Sequence, residues 1–191
     1  MPSKNDPIIR QARETDIPGI LDIYNDAILT TTALYTYEPF TLPMMQQWFA
    51  DKTAKALPVL VAATAETGAG NATANPNDAI AGFASYGPFR PWPAYKYTVE
   101  HSIYVHKDCR GKGIAKKLLR TLIDHATAGD LHTIVAGIDS ENAVSINLHR
   151  QFGFKETGQL TQVGYKFGRW LDLVFMQLIL DNNLQPNEKQ I

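Results

Sequence analysis

The chain has 191 residues, 45% of them hydrophobic and 19% charged, with a formal net charge of −1. That suffices for one ordinary domain with its own core, and it leaves no whole-molecule attraction toward nucleic acid or an anionic membrane. Cys109 is the sole cysteine, which excludes an intrachain disulfide and suits a reducing cytoplasm; the start MPSKNDPIIR lacks an apolar signal core, and no run is long and apolar enough to span a bilayer.

After a flexible start at residues 1–7, IIRQA (Ile8–Ala12) reads as a first strand. ETDIPGILDIYNDAIL comes next as an amphipathic helix, because Ile17, Ile20, Leu21, Tyr24 and Ile28 fall on one face. Thr15 or Asp16 is its expected cap, with Pro18 in the first turn. TTTALYTYEPFT is a loop and LPMMQQWFADKTA a second helix. LPVLVAATA and AIAGFASYGPF read as strands joined through the small, polar ETGAGNATANPND. Prolines break RPWPAYK. YTVEHSIYVHKD alternates Thr98, Glu100, Ser102 and Tyr104 against Val99, His101, Ile103 and Val105, a strand with two distinct faces. Ile114, Ala115, Leu118, Leu119, Leu122, Ile123 and Ala126 make the apolar stripe of a third helix. LHTIVAGID is a strand, ENAVSINLHRQFG a fourth helix, and FKETGQLTQVGYKFG and RWLDLVFMQLIL the last strands, before a frayed tail at 182–191. The order β-α-α-β-β-β-α-β-α-β-β, without repeat or linker, predicts one mixed-sheet α/β domain over residues 8–181.

CRGKGIAKKLL joins a strand to the third helix. The first N–H groups of a helix and its positive dipole end form an anion cradle, and glycines let a ligand approach them closely. Arg110, Lys112, Lys116 and Lys117 add charge suited to phosphates. The stretch is not a Walker A loop, since Gly113 and not Ser or Thr comes after Lys112; its glycine spacing also differs from the dinucleotide fingerprint. No metal-binding carboxylate set stands beside it, so neither a metal nor nucleotide hydrolysis is expected. A plain glycine-rich turn ahead of a basic helix accounts for the same residues.

RGKGIA resembles the Q/R-x-x-G-x-G/A signature of the GNAT superfamily of N-acetyltransferases. ENAVSINLHRQFGF resembles that superfamily's N-x-x-A/S-x-x-L-Y-x-x-x-G-F helix: Asn142, Ser145, Leu148, Gly153 and Phe154 match, and His149 stands where a tyrosine is common. YNDAI, YGPF, TVEHSIYV, SINLHRQFGF and GYKFGRW together resemble the phosphinothricin / methionine sulfoximine N-acetyltransferase family. The resemblance covers nearly the whole chain. It implies a single GNAT-type domain, α/β (α+β), with a mixed, mostly antiparallel sheet of about seven strands, four flanking helices and splayed central strands.

The same resemblance implies that the anion is the pyrophosphate of acetyl-CoA, held by Arg110, Gly111, Lys112, Gly113, Ile114, Ala115 and Lys116. Main-chain groups of Ile103, Tyr104 and Val105 would pair with the pantetheine, one N–H polarising the thioester carbonyl. Asn142 would bond the pantetheine arm, or cap the helix ahead of it. Transfer to an amine needs a neutral nitrogen, and Glu100 in T-V-E is the implied general base. Partial burial would raise its pKa; an edge-strand carboxylate paired with Lys96 or Lys107 is the alternative. His149 is a candidate proton donor to the departing thiolate, with Tyr104 as the other. His101 faces the opposite side of its strand as a packing residue, and Cys109 is a bystander.

The implied substrate is a small amino acid bearing a phosphinate or sulfoximine side chain, acetylated on its α-amino group. Arg90 suits a carboxylate. Trp92 stands where phosphinothricin-resistance enzymes carry a second cation, which favours the sulfoximine / sulfone type, with Phe89 and Tyr37 completing an aromatic wall. Thr30, Thr31 and Thr32 lie in the region that borders substrate, or make local hydroxyl bonds; Thr31 is the binding candidate. Family members are usually homodimers, and the aromatics of GYKFGRW are consistent with a shared surface. Acetylation of a peptide N-terminus, polyamine or aminoglycoside, and a non-catalytic CoA-binding module, are the competing readings.

Overall fold

Seven strands build one sheet, labelled in chain order β1 (Ile8–Gln11), β2 (Val59–Thr64), β3 (Ala79–Pro88), β4 (Thr98–Val105), β5 (Thr133–Asp139), β6 (Lys155–Lys166) and β7 (Arg169–Ile179). Four helices join them: α1 (Ile17–Thr30), α2 (Leu42–Ala54), α3 (Ile114–Ala128) and α4 (Ala143–Gln151). This computed structural model describes residues 7–64 and 79–181. The predicted hairpin tip at 66–78, nearly all of the start at 1–7 and the tail at 182–191 fall outside the described residues.

The spatial order is β1-β2-β3-β4-β5-β7-β6. Every neighbouring pair is antiparallel except β4 with β5. Side-chain alternation sends each strand's apolar residues to two separate cores. On one face, α1 and α2 bring Ile17, Ile20, Ile23 and Met45 onto Val59, Val61, Phe83 and Tyr104. On the other, Leu118, Leu119 and Leu122 of α3 and Ile146 of α4 pack on Val99, Ile134, Ala136 and Met176. Those three leucines are fully buried, each contributing about 1.5–3 kcal/mol of hydrophobic stabilisation.

One cap differs from expectation. Asp16 precedes α1 without capping it by its side chain. Its carboxylate instead accepts from the Arg10 guanidinium at 2.6 and 2.9 Å and from the Arg13 N–H at 2.7 Å. A charged, partly buried partner outcompetes a lone backbone donor.

The feature that positions the site is a break in the sheet. β4 pairs with β5 at Thr98, Val99 and Glu100 and no further, although β4 runs on to Val105 and β5 to Asp139. Each strand stays bonded on its outer side, β4 to β3 as far as Val105 and β5 to β7 as far as Asp139. The two therefore part like a notch opening toward the ends of both strands.

Candidate active site

The notch is a cleft of about 270 Å³. Because it cuts through the sheet, it is lined from both faces. Glu100, Tyr104, Gly137 and Leu173 come from one side; His101, Ile103, Asn142 and His149 come from the other. Main-chain direction alternates along β4. The His106 N–H, just past the strand, donates to Ala81 O toward β3 at 2.9 Å. Even-numbered residues therefore turn their main-chain groups to β3, while Ile103 and Val105 turn theirs into the gap. Tyr104 lines the cleft by its side chain, and its own N–H is directed to β3.

Glu100 lies across from Val135 at the point where pairing ends. A Cβ built on Gly137 would sit only 3.1 Å from Glu100 Oε1, so the missing side chain makes room for the carboxylate. Burial pushes the Glu100 pKa up, and the Arg90 guanidinium partly offsets this. Tyr104 is 8% exposed, and burial raises its phenol well above the usual range, Tyr24 adding to this, a hydrogen bond with the Ser102 side chain opposing it and Glu100 adding slightly. It is a protonated donor at any physiological pH.

On the opposite face two imidazoles meet, His149 Nε2 lying 3.0 Å from His101 Nε2. His149 Nδ1 is 2.7 Å from Ser145 O, and a carbonyl only accepts, so Nδ1 carries the proton. Burial lowers both histidines' pKa values, holding the rings neutral. His149 Nε2 must then accept from His101 Nε2–H. That leaves His101 Nδ1 buried without a hydrogen-bond partner among the described residues. Both nitrogens of His149 are thus engaged inside the protein. Asn142 Oδ1 accepts the Ser145 N–H at 3.0 Å, capping α4 while its residue lines the cleft.

The glycine turn sits past the end of β4. Gly111 and Gly113 take φ of +76° and +75°, and a Cβ on either would meet nothing within 4 Å. The left-handed backbone, not crowding, demands glycine here. It delivers the chain to the exposed start of α3, where Ile114 is buried and anchors the first turn. Arg110 stays beside the gap: Nε donates to Val105 O at 3.4 Å, and the guanidinium is 3.6 Å from Asp26 of α1. Lys112 Nζ donates to Asp108 O at 2.9 Å, and Lys116 is exposed beside it.

The profile of the acetyltransferase (GNAT) family matches residues 20–154. The chain belongs to this family. It is 50% identical over 173 residues, 91% of this chain and 94% of the relative, to the L-methionine sulfoximine/L-methionine sulfone acetyltransferase of Pseudomonas aeruginosa. A putative acetyltransferase from Salmonella typhimurium, solved with acetyl-CoA, superposes with a TM-score of 0.85 at 42% identity, covering 96% of this chain and 99% of that one. A phosphinothricin acetyltransferase from Sinorhizobium meliloti in complex with acetyl-CoA gives 0.85 at 33% identity, covering 96% and 94%. The sheet order and four helices are those of a GNAT fold.

Within this GNAT domain the expected substrate residues divide. Arg90 is close enough to lower the Glu100 pKa, yet it is not among the cleft-lining residues. Its guanidinium stacks on the Phe89 ring at 4.2 Å and donates to the Phe89 carbonyl at 3.0 Å. Phe89 lies outside the lining too, and Trp92 is 68% exposed on the same loop. The Thr31 hydroxyl donates back to Ala27 O at 2.7 Å, and Thr32 takes the lining position. Tyr37 donates to the Tyr165 carbonyl, and Tyr35 supplies the aromatic wall of the cleft. Cys109 is a free, half-buried thiol packed against the core. Gly137 and Tyr35, which line the cleft, and Lys166, which bonds the carbonyls of Thr31 and Leu34 beside it, are neighbours of the site that sequence reasoning missed. A glycine inside an otherwise apolar strand was the one signal present, and it pointed to Gly137.

Proposed function

We propose that this chain transfers the acetyl group of acetyl-CoA to the α-amino group of a small amino acid of the methionine sulfoximine, methionine sulfone or phosphinothricin type. The carrying observation is the notch that joins the two faces of the sheet, with a half-buried carboxylate at its closed end. The residues present fit the co-substrate: an open left-handed glycine turn at a helix start, and main-chain groups of a splayed strand aimed into a gap. Bound acetyl-CoA supplies an activated acetyl thioester.

The N–H groups from Gly111 to Lys116 hold its diphosphate, with Arg110 and Lys112 adding charge. Ile103 and Val105 pair with the pantetheine arm along β4, and a β4 N–H polarises the thioester carbonyl. Asn142 flanks the arm from the start of α4. Glu100 receives the proton of the amine, directly or through one water, and its raised pKa brings it closer to the operating pH. The neutral nitrogen attacks the carbonyl carbon, the C–N bond forms and the C–S bond breaks. Tyr104 protonates the thiolate; His149, with both ring nitrogens engaged, orients α4 beside the gap. Arg90 receives the substrate carboxylate at the mouth, with Phe89 and Trp92 on the same loop and Thr31 behind the wall. Two copies pair through the exposed edge that carries Tyr165, Phe167 and Trp170, in a reducing cytoplasm.

A thiol-release assay with acetyl-CoA against methionine sulfone, methionine sulfoximine, phosphinothricin and the standard amino acids tests the reading. Glu100→Gln should lower kcat about 10²–10⁴-fold while calorimetric binding of acetyl-CoA persists. Full activity of that variant removes the base. Inert amino acids beside an active peptide or polyamine remove the substrate class.

A further inference from the structure

Thr32, Ala33, Leu34 and Tyr35 line the cleft, yet the loop that carries them has neither helix nor strand to hold it. Its fastenings come from the far end of β6. Lys166 is 3% exposed, and its ammonium donates to Thr31 O at 2.9 Å and to Leu34 O at 2.7 Å, bracketing the lining segment. The Tyr37 hydroxyl donates to the carbonyl of Tyr165. The Tyr35 ring lies against Gly164, where a Cβ would stand 2.5 and 2.6 Å from its Cε2 and Cδ2.

That end of β6 is itself shaped. The register slips between Leu160 and Gly164 against β7. Asp172 of β7 holds the slip, its Oδ1 accepting the Gln162 N–H at 2.8 Å and its Oδ2 the Gln159 side chain at 3.1 Å. Gln162 takes a φ of +53° there. A strand bulge re-aims the residues beyond it, and here it directs Gly164 to Lys166 at the loop.

We propose that Gly164 and Lys166 are positioning residues that set substrate selectivity by seating Tyr35 and the Thr32–Leu34 segment as a wall of the amine pocket. This rests on the proposed acetyl transfer, in which the amine enters the notch. Gly164 acts by the space it leaves and Lys166 by two carbonyl bonds. Neither touches the acetyl-CoA path along β4 and α3, so the effect divides between the two substrates. A methyl at position 164 forces the ring aside by roughly 0.9 Å to reach ordinary contact, and the displaced ring is one that lines the cleft.

The test is a double-mutant cycle, scored on whichever amine the wild type acetylates from a panel of methionine sulfone, methionine sulfoximine, phosphinothricin, a peptide and a polyamine. Gly164→Ala should raise KM for that amine at least tenfold and leave KM for acetyl-CoA within twofold. In a Tyr35→Leu background the same change should cost less than twofold, because the ring it displaces is gone. Lys166→Met should raise the amine KM in both backgrounds, again sparing acetyl-CoA. Calorimetric binding of acetyl-CoA reports that each variant is folded. An equal cost of Gly164→Ala with and without the Tyr35 ring overturns the proposal, as does a loss that falls on acetyl-CoA. A wild type that uses only the peptide or polyamine sinks the amino-acid reading and leaves the cycle fully scoreable.

Discussion

A methyl group added at Gly137 would lie 3.1 Å from Glu100 Oε1 and 3.5 Å from Leu173 Cδ1. The second contact is ordinary; the first is about 0.3 Å too short. Gly137→Ala therefore moves the carboxylate by roughly that amount. If a misplacement of about 1 Å costs on the order of 10²-fold in rate, about 0.3 Å costs on the order of fourfold. The methyl also shields the carboxylate further, so the acid limb of kcat/KM moves to higher pH. The fold does not suffer: glycine in a strand interior is about 0.5–1 kcal/mol less favourable than alanine, and position 137 faces the open cleft. The assay is kcat/KM for methionine sulfone across pH, beside the urea midpoint of the same variant. A rate and acid limb identical to wild type, or activity lost in step with stability, would refute the idea that Gly137 makes room for the base.

Burial raises the Glu100 pKa and the Arg90 charge lowers it, so Arg90→Gln should displace the acid limb of kcat/KM upward as well as weaken the amine; a limb that stays put or moves down contradicts the electrostatic link. His101 predicts a dependence of stability on pH. Burial, then the neighbouring His149, pushes its pKa from 6.5 down to about 3. The unfolded chain binds the extra proton between those values, so this contribution is complete above pH 6.5 and falls by about 1.4 kcal/mol per pH unit below it, levelling near pH 3. Urea unfolding between about pH 7.5 and 5 reads the slope. His101→Gln keeps a donor for His149 Nε2 and should flatten the slope by one proton; an unchanged slope shows that the ring is not held neutral.

The elements of this GNAT domain were legible because each rests on local periodicity. The α3 stripe and the alternation of β4 need no knowledge of neighbours, and β4 alone puts Glu100 and His101 on opposite faces. The glycine turn was legible for a similar reason, since two glycines just ahead of an apolar helix stripe mark a bare backbone at a helix start, while their left-handed φ came with the structure. Asn142 announced its cap through its position ahead of a helix, and its place beside the cleft only through the resemblance of ENAVSINLHRQFGF to the family's helix.

Other parts depended on partners far along the chain. Arg90 was expected to meet a carboxylate and Trp92, Phe89 and Tyr37 to form an aromatic wall, but none of the four lines the cleft, and the Arg90 guanidinium stacks on the Phe89 ring instead. Tyr35 takes that place because Gly164 leaves it a seat, and nothing near Tyr35 in sequence records this. The engagement of His149 by His101 joins residues 48 positions apart. Residue order alone specified the strands, the helices, the turn and which face each side chain takes, since those come from φ/ψ preference and repeat period. The opening between β4 and β5, the room for Glu100 over Gly137 and the fastening of the loop by Lys166 came only with the packed sheet. They depend on where two strands stop pairing, which is a balance over the whole register and is written in no single segment.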